Sequence, residues 1–123
     1  PTELSYLLAQ KLEINGALVQ REDFFPYLEA MSRLDPRMFV STLTAAGQHN
    51  ALDVLPQISA PTLILAGQYD SFTPMAVSEK MHQLIAGSEL HVVKDGTHTA
   101  PIERPAEITE AIIDFLQRRI PAP

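Results

Sequence analysis

Pro61-Thr62-Leu63-Ile64-Leu65-Ala66-Gly67-Gln68-Tyr69-Asp70-Ser71-Phe72-Thr73-Pro74 decides the reading of this chain. Thr62 to Ala66 is a continuous apolar run without alternation, entered from Pro61 and ended by Gly67, the pattern of a parallel strand covered on both faces. Thr73 is read as the cap, and Pro74 as the first residue, of a helix in which Val77, Met81, Leu84 and Ile85 share a face before Gly87 stops it. Leu90-His91-Val92-Val93 is the second strand. Beyond it lies Gly96-Thr97-His98-Thr99-Ala100-Pro101-Ile102-Glu103-Arg104-Pro105, whose last proline opens another helix. Ile108, Ile112, Phe115 and Leu116 form that helix's apolar stripe, Glu107 and Glu110 sit at its positive end, and Arg118 and Arg119 close it with the opposite sign. Two parallel strands joined by a crossover helix are a βαβ unit, right-handed in nearly all cases, so the fold class is α/β.

Upstream the pattern is helical: Leu4 to about Glu13, then Phe24 to Leu34, then a third helix capped by Asp35 and begun by Pro36. In the third, Phe39, Leu43 and Ala46 share a face up to Gly47. Pro56 and Pro61 bracket a joint, which divides the chain into a helical segment, 1–57, and a carboxyl-terminal βαβα portion, 58–123. Two strands alone make a marginal sheet, and a parallel strand with helices on both faces needs further strands beside it. Those strands are expected from another segment of the same protein or from a second copy, as a homo-oligomer or a domain-exchanged dimer. Because the chain begins on Pro1 rather than methionine, a processed or truncated amino terminus is expected.

Composition narrows the partners. The 123 residues are 46% hydrophobic and 20% charged, those of a globular domain with a real core. A formal charge of -6 without any basic cluster argues against nucleic acid or an anionic membrane. No apolar run approaches the length of about 18 residues that spans a bilayer. The absence of cysteine leaves no disulfide framework and no thiolate metal site, and makes a cytoplasmic location the default.

In open α/β sheets reactive groups gather at the carboxyl ends of strands, and Asp70 and His98 both lie there. The carboxylate would hold the imidazole's tautomer and stabilise the imidazolium formed when His98 takes a proton as general base, later returned as general acid. Each residue also has a plainer role: Asp70 as an Asx turn or helix cap, His98 as an exposed loop residue. Glu103, ahead of Pro105, is expected to brace the histidine loop. Asp53 and Asp95 read as turn or cap residues. His49, His82 and His91 lack comparable surroundings, so no metal site is expected. Tyr69, Phe72, Met75, Phe24, Phe25 and Tyr27 are candidates for an acyl pocket, or simply core. No nucleophile is evident: Ser5, Ser32, Ser41, Ser59, Ser71, Ser78 and Ser88 all lack the glycines of a G-x-S-x-G elbow.

The segment from about Ile58 to Arg119 resembles the last part of an α/β-hydrolase-fold protein. The matching pattern is the strand Pro61 to Ala66, then Gly67, Asp70, Thr73 and Pro74, then Gly96, His98, Glu103 and Pro105. Thr97 departs slightly from the commoner Gly-His pair. The resemblance implies that Asp70 is the triad acid and His98 the triad base, and that residues 1–57 are the end of a helical cap and the helix leading back into the core. It places the serine elbow and oxyanion hole earlier in the chain, in an amino-terminal part of the same protein. It further implies hydrolysis of an ester, thioester or similar small acyl substrate without a dissociable cofactor, with this chain alone inactive. A non-catalytic binding or assembly module and a non-hydrolytic family member (acyltransferase, dehalogenase, C–C bond hydrolase) are the alternatives.

Overall fold

The computed structural model describes residues 3–12 and 14–120. The elements in order are α1 (Glu3–Leu12), α2 (Arg21–Ser32), α3 (Pro36–Gln48), a 3-10 turn (Leu55–Gln57), β1 (Leu63–Gly67), α4 (Met75–Leu84), β2 (Glu89–Val93), α5 (Ala100–Glu103) and α6 (Pro105–Arg119). The α/β architecture expected from the sequence is present. Glu13, the expected end of the first helix, lies outside the described residues.

β1 and β2 pair in parallel, from Leu63 opposite Glu89 to Gly67 opposite Val93. They are the two strands found among the described residues, so each keeps one edge unpaired. The β1 side chains are buried or half-buried along its whole length, which explains the unbroken apolar run. Gly67 is needed where β1 ends. A Cβ there would lie 2.3 Å from the Thr97 carbonyl oxygen and 2.9 Å from that of Gly96, so only glycine lets the histidine loop pass so closely. Gly87, with φ +73°, makes the turn between α4 and β2 that a side chain would strain.

Local chemistry sets most helix starts. The Asp35 carboxylate accepts from the Arg37 amide at 2.8 Å and Pro36 occupies the first turn of α3, as the sequence predicts. α2 begins at Arg21, three residues before the expected Phe24, because Glu22 and Asp23 favour its positive end. It also carries Pro26 inside, which removes one backbone donor. α4 corrects the expected cap: Pro74 precedes the helix, no side chain caps it, and the Thr73 hydroxyl is committed to Asp70.

Two small cores form. Phe24, fully buried, joins Ala9, Ile14 and Val19, with Tyr6, Tyr27, Leu28 and Ile102 packed around them. Val93, Ala100 and Ile108 make the other, against Leu65. Through Ile102 the first cluster reaches from the amino-terminal helices onto the short helix α5. At the far end of α6, Arg118 and Arg119 both hold Glu89 at the start of β2. Their hydrogen bonds push its carboxyl down to about 2. Val77, Ile112 and Leu116, expected on buried stripes, are exposed, since no neighbouring element covers those faces among the described residues.

Candidate active site

The loops leaving β1 and β2 are stitched together before any side-chain chemistry begins. The Gln68 amide donates to the Val93 carbonyl at 3.1 Å and the Tyr69 amide to the Gly96 carbonyl at 2.8 Å. The Asp95 amide donates in return to the Gln68 side chain at 3.1 Å. Asp95 occupies the left-handed region, φ 59°, where aspartate is among the more tolerant residues. The two strand ends thus form one rigid ledge.

On it, His98 Nδ1 lies 3.1 Å from Asp70 Oδ2. The two sequence-selected residues are brought together although 28 positions separate them. Asp70's oxygens divide their duties. Oδ1 accepts from the amides of Phe72 at 2.8 Å and Thr73 at 2.9 Å, the Asx-type turn that is the residue's plainer role. Oδ2 accepts the Thr73 hydroxyl at 2.6 Å and faces the imidazole. Burial, with 10% of the side chain exposed, pulls the carboxyl's pKa upward. The hydrogen bonds from Thr73, His98 and Phe72 outweigh it, so the group sits below its ordinary 3.8 and stays ionised. The His98 side chain is 44% exposed, and the Phe72 ring packs beside it with centroids 5.0 Å apart.

Glu103 lies behind the histidine rather than beside it. It is 5% exposed and takes four hydrogen bonds. Oε2 accepts the Thr97 amide at 2.6 Å. Oε1 accepts the Asn15 amide at 2.6 Å, the Thr97 hydroxyl at 2.7 Å and the Thr99 hydroxyl at 3.4 Å. A buried carboxylate is tolerable when donors surround it in this way.

The remaining candidates scatter. His82 Nδ1 meets the Ser88 hydroxyl at 2.9 Å, and His91 Nε2 meets Glu107 at 2.9 Å, both away from Asp70. Among the described residues no three His, Asp or Glu side chains converge as metal ligands would, and no helix is long and apolar enough to cross a membrane. Phe24 is core, Phe25 carries Arg21 over its ring at 4.6 Å, and Tyr69 is exposed near the ledge. Two contacts escaped the sequence reading. The Thr73 bond to Asp70 follows from an aspartate–threonine spacing of three and was legible in principle. The Asn15 contact spans 88 positions and has no local signature.

Comparison with known proteins gives this geometry its family. The family model described as TAP-like protein matches residues 38–122. A 2-hydroxy-6-oxononadienedioate/2-hydroxy-6-oxononatrienedioate hydrolase of Klebsiella pneumoniae is 42% identical over 64 residues, 52% of this chain and 22% of that protein. The thermophilic esterase of Thermogutta terrifontis superimposes with a TM-score of 0.53 at 38% identity, over 55% of this chain and 25% of the esterase. CarC, a serine hydrolase of carbazole degradation, superimposes with a TM-score of 0.74 over 93% of this chain and 46% of its own. At 22% identity that last likeness shows shared architecture alone, though it takes in the helical segment as well as the strands. The chain spans less than half the length of each of these proteins. Since the family model covers well over half of its residues, the chain belongs to the TAP-like family of α/β-hydrolases.

Proposed function

We propose that this chain supplies the acid and the histidine of a Ser-His-Asp hydrolase whose nucleophile lies outside residues 1–123. The observation that carries the reading is the 3.1 Å approach of His98 Nδ1 to an Asp70 oxygen whose ionisation is secured by neighbouring donors. With Nδ1 turned to the carboxylate, Nε2 is the atom that takes the proton from a serine hydroxyl as its oxygen bonds to the acyl carbon. The same nitrogen gives that proton to the leaving group, then draws one from water as its oxygen bonds to the acyl carbon and passes it to the departing serine oxygen, which frees the acyl group as an acid. The substrate class is an ester, thioester or similar small acyl compound, in keeping with the resemblance to the Thermogutta esterase. Strands and oxyanion donors from an amino-terminal part of the same protein complete the sheet, and residues 1–123 alone are inactive.

A second reading, hydrolysis of a carbon–carbon bond, draws on the similarity to the Klebsiella hydrolase. It uses the same His98 and Asp70 and differs in the bond broken: the acyl group is cleaved from carbon rather than oxygen, and the leaving carbon takes up a proton. The test measures hydrolysis of p-nitrophenyl esters and of a 2-hydroxy-6-oxo dienoate by the full-length protein and by its His98→Ala and Asp70→Ala forms. Loss of both activities in the variants supports the pair; turnover equal to that of the parent protein rejects it.

A further inference from the structure

His98 is flanked by Thr97 and Thr99, and Glu103 grips both neighbours. Its Oε2 takes the Thr97 amide at 2.6 Å, while Oε1 takes the Thr97 and Thr99 hydroxyls. The imidazole is therefore carried by a segment clamped on either side of it by one carboxylate. That carboxylate is also bound from the amino-terminal segment. The Asn15 amide donates to Oε1 at 2.6 Å, and the Asn15 side-chain amide donates to the Asp95 carbonyl at 3.1 Å, just before the histidine loop. Next to Glu103, Ile102 packs into the cluster of Ala9, Ile14, Val19 and Phe24. Three attachments thus join the turn at 14–19 to the loop that holds His98.

We propose that Glu103 is a positioning residue for His98, and that through it the Asn15 turn of the amino-terminal helical segment sets the imidazole against Asp70. The proposal rests on the Asp70–His98 reading above. Its physical basis is that Glu103 is buried and accepts from backbone amides and side-chain hydroxyls alike. Any shift of the Asn15 amide has to be followed by Glu103 or leave a buried carboxyl oxygen short of a donor, which is unfavourable. The less costly response is for the clamp, and with it the 97–99 segment, to move. A helical segment that changes position over a bound substrate would thereby align the histidine at the same moment.

The test uses the full-length protein and compares Glu103→Gln, Glu103→Ala and Asn15→Ala with His98→Ala. Glu103→Gln keeps the shape but sets an amide NH2 where one oxygen now accepts. The expected result is a fall in kcat of about 10- to 100-fold with KM unchanged for the Glu103 variants, as displacement of a reacting group by about an ångström produces. Asn15→Ala, which spares the backbone donor, loses less. Proton NMR supplies the second readout: the deshielded His98 Nδ1 proton, assigned by its absence in His98→Ala, weakens or exchanges faster in the Glu103 variants. A merely structural Glu103 would lower melting temperature while leaving kcat per folded molecule and this resonance intact, and that result overturns the proposal. If both Glu103 variants fail to fold, Asn15→Ala decides: unaltered kcat and resonance reject the coupling, a partial loss of both supports it. Parent-level activity in His98→Ala would instead remove the underlying reading, so the two failures are told apart.

Discussion

The ledge that carries Asp70 and His98 and the helix α3 end in opposite states. Around the ledge Val93 is fully buried, Ala100 and Ile108 nearly so, and the Asp70 and Glu103 carboxylates are supplied with donors. α3 has no buried residue: Met38, Phe39, Val40 and Leu43 all face outward. The first region closes on itself; the second has the amphipathic pattern of a helix meant to be covered, without the cover among the described residues. Closure is thus concentrated around the proposed Asp70–His98 pair, and the uncovered helix face of α3 lies elsewhere in the chain.

Four measurements bear on that contrast. The largest effect falls on activity: on the proposed triad reading, His98→Ala in the full-length protein should reduce kcat by about a thousandfold or more, since loss of one member disables such a unit. A smaller loss would mean the ledge is organised for stability alone. Next comes Phe24→Ala, which empties a fully buried site and should cost about 3–5 kcal/mol of stability by denaturant unfolding. Gly67→Ala forces a Cβ into the Thr97 and Gly96 backbone and should cost about 1–3 kcal/mol, with kcat falling as well because the histidine loop is what must move. Phe39→Ala sharpens the comparison most. In residues 1–123 alone it should change stability by no more than about 0.5 kcal/mol, while a loss of several kcal/mol in the full-length protein would show that the α3 face is covered there.

Acid titration gives the smallest effect and a fixed sign. The Asp70 pKa is lowered on folding, so between the folded value and about 3.8 the unfolded chain binds more protons and stability rises with pH. The contribution is complete above the unfolded value and fades as pH falls through the folded one. Replacing Asp70 by Asn should flatten that part of the pH–stability curve; an unaltered curve would assign the acid sensitivity to other carboxylates.

The sequence made the strands and the helix starts legible because their causes are local. An unalternating apolar run, a proline at a first turn and an aspartate two residues before an amide each act within a few positions. Asp70 and His98 were legible for a related reason, since parallel pairing brings successive strand ends together whatever the intervening helix contains. Burial was less so: Ile112 and Leu116 follow Ile108 at helical spacing but stand exposed, because a stripe states only that a helix has a side to hide. Thr73 does not cap α4 because its hydroxyl has two possible partners, the free amides at the start of the helix, from which it would accept, and the Asp70 carboxylate, to which it donates, and the structure takes the second. Asn15 meeting Glu103 is a product of tertiary packing.

The split use of Asp70 bears on how related chains should be sorted. One of its oxygens knots the 70–73 turn and would be wanted even in a descendant that had given up turnover, so natural selection for a well-made bend can preserve an aspartate there after enzymatic use has lapsed. The imidazole has no comparable second duty among its described hydrogen bonds. Across divergent members, then, loss of the histidine is the sharper marker of a retired enzyme, and survival of the aspartate by itself says little.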